Sequence, residues 1–541
     1  MKTILNVLKG SIFLMLLSAT LISCSNPVVK EEKGDTTYLE EMSVAQLGMD
    51  YRNGKTTITK VVSDYLKRID KIDKKGPMLN SILAINPHAL KIAEELDKEM
   101  KEGKIRGPLH GIPVILKDNI DTKDSMPTTG GATVLKNSFV TKDSKVAELL
   151  RNAGAVIIGK SNLSEWANFR ASLSSSGWSG VGGQTKNPYI TDRNPCGSSS
   201  GSGVAVSASL CGFAIGTETN GSIVCPSNNN GIVGLKPTVG LISRAGIIPI
   251  SFTQDTPGPM GRTVEDVAIA LGVLAGSDTS DSKTMAKEAK FYSDYTQFLN
   301  KDGLKGKRIG VVTNISGFHY KVDSLMKKAV EFLKSSGAEV VDVAMPLRGE
   351  ISGASFQVML YEFKDGLNKY FASLGENAPI KNIEELIEFN KKDSVELMFF
   401  DQQLLELAQA KGGLDDPKYK QALALMQKGT RGDGIDKVMN SNKLDALIAP
   451  TGSPAWKTDF VNGDNFLGSS SSFAAISGYP NITVPMGFIS DLPVGISFFG
   501  RAWSEPTLLE IAYAFEQGTK HRQAPKFLNY IEINVKPGNK K

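Results

Sequence analysis

The sequence holds few of the residues that build metal or imidazole chemistry: four histidines and four cysteines in 541 residues. None of the cysteines sits in a CxxC pair or at another metal-ligand spacing, which excludes a zinc ribbon and a thioredoxin-type motif. Charge of neither sign prevails. There are 62 basic and 57 acidic residues, a net +5, and no basic block interleaved with aromatics, so no nucleic-acid partner is expected. No internal repeat is present. With 41% hydrophobic and 22% charged residues the chain has ordinary globular composition and ample length for a full core.

What is present begins at the N-terminus. Lys2 and Lys9 precede an apolar run from Ile12 to Ile22, which is shorter than the roughly 18 residues of a spanning helix and suits a signal-peptide core. The run ends in Leu21-Ile22-Ser23-Cys24, which resembles the lipobox of bacterial lipoproteins, with Cys24 as the lipidated residue. The expected organisation is a lipoprotein signal peptide over 1–23, a polar tether over 24–37, and a single domain over 38–541. The expected location is outside the cytoplasm, lipid-anchored to the bacterial cell membrane or outer membrane. Cys196, Cys211 and Cys225 read as three small buried residues.

Along the chain, Asp35 to about Lys104 reads as helical from its apolar spacing. The run "HGIPVILKDNI" is a buried strand ending at Lys117. "AVIIG" after Gly154, Phe213–Gly216, "KRIGVVT", "AEVVDV", "LDALIAP" and "PNITVPMG" are further strands, alternating with helices at glycine-marked turns. That alternation predicts an α/β class. Phe356, Leu360, Phe363, Leu367 and Phe371 form one helical stripe within a helical insertion at about 355–430 and read as core.

The stretch "PCGSSSGSG" at 195–203 has linker composition, yet it runs directly into the apolar "VAVSASLCGFAIGTE", and a second small-residue turn, "TETNGSIVCP", follows. A helix starting at Gly203 fits between them. Such turns allow close backbone approach and present N–H groups to an oxyanion.

Lys117 in "GIPVILKDNID", "PCGSSSGSG", "GTETNGSIVCP", "GIVGLKPTVGLISRAGIIPIS" and "DTPGPMGRTVEDVA" resemble, in that order, the amidase signature family. The match runs from about Ser43 to Phe527. Within the family, "SSSGWS", "GGQTKNP" and "NGSIVCP" look most like the bacterial peptide amidases. The resemblance implies an α/β/α sandwich with a large mixed sheet. It also implies a Ser-cisSer-Lys triad: Ser222 as nucleophile, Ser198 as the bridging serine in a cis peptide, Lys117 as base. Thr219, Asn220, Gly221 and Ser222 are the candidate oxyanion donors, and Ser199 matches the position that hydrogen-bonds the lysine. No metal or organic cofactor is implied, and no obligate protein partner is expected. Many family members carry Gly-Gly-Ser where this chain has Asn220-Gly221-Ser222, and Arg where it has Val224; neither change removes a triad group.

The chemistry is consistent with those residue types. A serine hydroxyl is a weak nucleophile until a base takes its proton. Lysine serves as base only when desolvation or positive charge lowers its pKa. A hydroxyl both accepts and donates, so Ser198 can relay a proton from Ser222 to Lys117.

The expected substrate is a C-terminally amidated peptide, cleaved to the free acid and ammonia. Small aliphatic or aryl amides are the alternative. Less favoured are a tRNA amidotransferase-type subunit, which the expected location excludes, and a non-catalytic peptide-binding lipoprotein. "GSSSG" further matches the G-x-S-x-G elbow of α/β-hydrolases, with Ser199 at its centre and His319 or His521 as partner. Lys160, Asp118 and Asp255 read as structural, the two carboxylates as turn or cap groups.

Overall fold

The computed structural model describes residues 36–346 and 349–531. Thirteen strands occur among them. Eleven form one mixed sheet: β1 (Ile82–Ile85), β2 (Pro113–Lys117), β3 (Val156–Ser161), β6 (Phe213–Glu218), β7 (Val233–Lys236), β8 (Thr256–Gly261), β9 (Arg308–Val312), β10 (Glu339–Val343), β11 (Ala446–Pro450), β12 (Asn481–Ile489) and β13 (Leu492–Phe499). β4 (Trp178–Ser179) and β5 (Gly183–Gln184) pair separately as a short ribbon. The sheet order is β1-β3-β2-β6-β8-β7-β12-β13-β11-β9-β10.

β2 runs parallel to both β3 and β6, so the three strands end on the same side of the sheet. Every residue of β2, β3 and β6 is buried, which means both faces are covered. That is why these strands read as unbroken apolar runs rather than alternating ones. Helices on the two faces complete an α/β/α sandwich. Their starts are fixed by side-chain caps: Ser43, Thr57 and Ser144 each accept an N–H three residues on, and Thr263 and Asp266 cap each other.

Between β10 and β11 the chain is helical, with helices Gly349–Ser373, Ile383–Asn390, Gln403–Gln409 and Pro417–Thr430. Leu360, Phe363, Leu367 and Phe371 are buried in one cluster with Trp166, Phe169 and Ile248. Phe371 meets Trp166 edge-on at 6.2 Å and Phe363 meets Phe169 at 5.1 Å. An ion cluster sits beside them. Arg170 Nη1 donates to Glu165 Oε1 at 2.6 Å and to Glu396 Oε2 at 3.0 Å, and Glu396 Oε1 accepts from Thr133 N at 2.6 Å.

Four details differ from expectation. The stretch Asp35–Lys104 is not all helical, because β1 interrupts it and pairs antiparallel with β3. The helix after the serine run begins at Ser200, not Gly203, since Ser200 Oγ donates to Cys196 O and Gly203 N donates to Ser199 O. Cys196 and Cys225 are a disulfide rather than separate buried residues; Cys211 alone is free and buried among the described residues. Thr36 and Thr37, the last two residues of the expected tether, belong to the fold: Arg68 Nη1 donates to Thr36 O at 3.1 Å, and Thr37–Leu39 is a 3-10 turn.

Candidate active site

The site lies where β2 and β6 end side by side. β2 delivers Lys117 and β6 delivers Thr217 and Glu218, and the turn that follows carries Thr219 to Ser222. The turn before helix Ser200–Ser207 brings Ser198 against both. The peptide bond between Gly197 and Ser198 is cis. A second contact joins the two turns: Ser199 N donates to Ser222 O at 3.1 Å.

Lys117 is fully buried. Its Nζ lies 2.7 Å from Ser198 Oγ, 2.9 Å from Thr217 Oγ1 and 3.2 Å from Thr217 O. Burial pulls its pKa down to about 7, against the opposing pull of the Asp255 and Glu218 carboxylates. Ser198 is 0% exposed and Ser222 8%. Of the two serines, only Ser222 is reached from outside.

Ser199 does not bond the lysine. Its Oγ donates to Thr217 O at 3.0 Å and accepts from Thr217 N at 3.1 Å. It therefore holds the lysine's partner rather than the lysine, whose hydrogen bonds go to Ser198 and Thr217. Ser199 is also no elbow nucleophile. It is fully buried, His319 caps the helix Tyr320–Ser335, and His521 packs beside Phe515.

The 219–222 turn is shaped from behind. Glu218 Oε2 accepts from Ile223 N at 2.8 Å and Val224 N at 3.1 Å, closing the turn. Gly221 has φ +87°, a left-handed conformation that favours glycine. Among the described residues, the N–H groups of Asn220, Gly221 and Ser222 meet no acceptor. Asn220 leans outward: its Oδ1 accepts from Ser471 Oγ at 2.8 Å and its Nδ2 donates to Ser472 Oγ at 3.2 Å. Thr219 Oγ1 donates to Asp255 Oδ1 at 2.6 Å, and Asp255 Oδ2 accepts from Ile250 N and Ser251 N at 2.8 Å. Burial pushes the Asp255 carboxyl up to about 6. Asp118, also raised to about 6 by burial, and Lys160 lie behind the site, where Lys160 Nζ donates to Ile120 O at 2.7 Å and Thr128 Oγ1 at 2.9 Å.

Two cavities reach this turn. One of about 470 Å³ is lined by Ser174, Gly197, Asn220, Gly221, Trp456 and Asp464, with the Cys196–Cys225 disulfide in its wall. The other, of about 190 Å³, is lined by Asn119, Thr217, Thr219, Asp255, Ile248 and Phe252. Thr217, Trp456, Asp464 and the disulfide escaped the sequence reading, whereas Asp255, a turn or cap group in that reading, accepts from the turn N–H groups of Ile250 and Ser251. The "QDTPGPM" motif carried Asp255, but a strand-end threonine has no signature of its own.

A family model described as Amidase matches residues 60–509. The crystal structure of native peptide amidase from Stenotrophomonas maltophilia is 47% identical, with a TM-score of 0.86 over 90% of this chain and 99% of that one. A probable amidase of Arabidopsis thaliana is 39% identical over 528 residues, 95% of this chain and 97% of that protein. A glutamyl-tRNA(Gln) amidotransferase polypeptide of Acinetobacter baumannii is 32% identical over 492 residues, 89% of this chain and 97% of that protein.

These relatives correct the expected location. An exported, lipid-anchored bacterial protein is not supported, because relatives at 36–39% identity covering 89–95% of the chain are eukaryotic, from A. thaliana, Schizosaccharomyces pombe and Arthroderma benhamiae. A lipobox is a bacterial device. Cys24 and the expected signal peptide lie outside the described residues. Among the described residues no helix is long and apolar enough to cross a membrane. With that location withdrawn, what separates the chain from the amidotransferase is sequence: 47% identity on one side and 32% on the other. Family model and relatives together span most of the chain, which belongs to the amidase signature family of amide hydrolases.

Proposed function

We propose that the chain hydrolyses the terminal carboxamide of C-terminally amidated peptides, giving the free acid and ammonia, through Ser222, Ser198 and Lys117. The observation that carries this reading is the fully buried Lys117 amine 2.7 Å from Ser198 Oγ. A neutral amine has two N–H bonds and one lone pair. Thr217 O can only accept, and Thr217 Oγ1 lies in reach of the second N–H, so both hydrogens have acceptors on Thr217. The lone pair then faces Ser198. A base with a pKa of about 7 is matched to neutral pH.

In this scheme Ser222 Oγ attacks the amide carbon. Its proton passes to Ser198, and the Ser198 proton passes to Lys117. The N–H groups of Asn220, Gly221 and Ser222 receive the oxyanion, each such donor being worth about 3–4 kcal/mol. The relay then runs backwards, the C–N bond breaks and ammonia leaves. Water attacks the acyl-enzyme by the same proton path and frees the acid. The open cavity of about 470 Å³ beside Gly221 supports a substrate larger than a simple amide, as does the likeness to a peptide amidase.

The test is mass spectrometry of a pool of amidated peptides and small amides incubated with the full chain and with Ser222→Ala. The expected result is conversion of peptide amides to acids by the parent only. Conversion of small amides alone would move the reading to a small-amide amidase. Equal conversion by Ser222→Ala would remove Ser222 from the reaction.

A further inference from the structure

We infer that the mouth of the large cavity is an apolar rim that selects peptide amides by the side chains upstream of the amidated residue, favouring aromatic and aliphatic ones. This rests on the peptide-amide reading above. Leu173, Met398, Phe399, Val461, Phe466 and Leu467 are 43–86% exposed, and they come from three segments distant in sequence. Contacts gather them at one place. The Phe399 ring stacks on Phe460 at 4.7 Å and meets Trp178 at 6.1 Å. Phe466 meets Trp456 at 5.7 Å. A Cβ placed on Gly463 would lie 3.4 Å from the Leu173 backbone, which sets Leu173 beside the 461–467 loop.

The rim is continuous with the reaction centre. Ser172, Ser174, Leu404, Trp456 and Phe466 line the same cavity as Gly197 and Gly221. An extended peptide with its carboxamide at Gly221 must leave through this mouth, with a side chain every ~3.3 Å. Exposed apolar side chains grouped in this way mark a binding surface rather than scattered surface residues. The carboxylate on the wall, Asp464, is not free to anchor a basic residue. It accepts from Ser176 N and Oγ, from Asn194 Nδ2 at 3.1 Å and from Trp456 Nε1 at 3.0 Å, which ties the segments around Ser176 and Asn194 to the 456–464 loop.

The test uses acetyl-Xaa-Ala amide and acetyl-Xaa-Ala-Ala amide, with Xaa as Phe, Leu, Ser, Asp or Lys, and acetyl-Ala amide as reference. The full chain should show kcat/KM about tenfold higher for Phe and Leu than for Ser, Asp and Lys, the scale of one apolar side chain in a pocket. Two paired variants read the rim: Met398→Ser with Phe399→Ser, and Leu173→Ser with Val461→Ser. The second pair is 69% and 86% exposed in the parent and guards against misfolding. Either pair should bring the preference to within about twofold. No preference in the parent, or one unchanged in both pairs, overturns the rim even if acetyl-Ala amide is cleaved. Binding to phosphatidylcholine vesicles or self-association through these residues, without peptide selectivity, overturns it too. Cleavage of no amide in the series overturns the peptide-amide reading as well.

Discussion

Cys196 and Cys225 are bonded to each other, joining the turn that carries Ser198 to the turn that carries Ser222. They stand 29 positions apart, with helix Ser200–Ser207 and β6 between them. A cross-link over a loop of that length stabilises a fold by roughly 3–4 kcal/mol. Cys196→Ser with Cys225→Ser should lower the unfolding free energy by about that amount in a denaturant titration. Because the bond lies in the cavity wall, kcat should fall as well. Unchanged kcat and stability would mean that the Ser199–Ser222 backbone contact holds the turns unaided.

The rate should depend on pH through Lys117. Its pKa of about 7 lies below that of a free lysine, so the amine is neutral above pH 7 and takes up a proton below it. Protonation removes the lone pair facing Ser198. On this account kcat/KM falls as pH drops through about 7, approaching tenfold per unit. The Asp255 charge favours protonated Lys117. Asp255→Asn should therefore move the acid limb to lower pH, which a pH-rate profile of the two proteins would read.

Glu396 should be a large contributor to stability. It is fully buried and takes hydrogen bonds from Arg170 and Thr133. Its removal leaves Arg170 paired with Glu165 but strips the buried Thr133 N of its acceptor and Thr133 Oγ1 of its nearer one, at about 1–3 kcal/mol for each bond lost, or roughly 3–5 kcal/mol together. Glu396→Ala should lose that much in calorimetry or denaturant unfolding. Exposed Lys391→Ala, whose partner Glu388 is also exposed, serves as the near-neutral control.

Much of this was legible along the chain, for reasons that differ by element. β2 and β6 lie buried on both faces, so "PVILK" and "FAIGTE" appear as apolar runs bounded by turns. The serine turns were legible because their glycines answer to close contacts. A Cβ on Gly201 would collide with the Ser81 and Asn162 backbones. That same glycine hid the true start of its helix at Ser200, since propensity argues against a helix there. β1 was lost in a helical-looking stretch because it has four residues and depends on β3 for pairing. The disulfide was invisible because its spacing matches no motif and its geometry exists only once helix Ser200–Ser207 has folded back on β6. Thr217 was missed for the same reason: its bond to Lys117 is made across two strands.

The measurement that tests the central claim most directly is kcat on acetyl-Phe-Ala amide at pH 8 for Lys117→Ala, Ser198→Ala and the double variant, with folding checked by circular dichroism. Groups that act as one relay are not additive. The account predicts a loss of at least about 10³-fold in each single variant, and a double variant no slower than the worse single. Retention of activity within about tenfold of the parent by Lys117→Ala would contradict it.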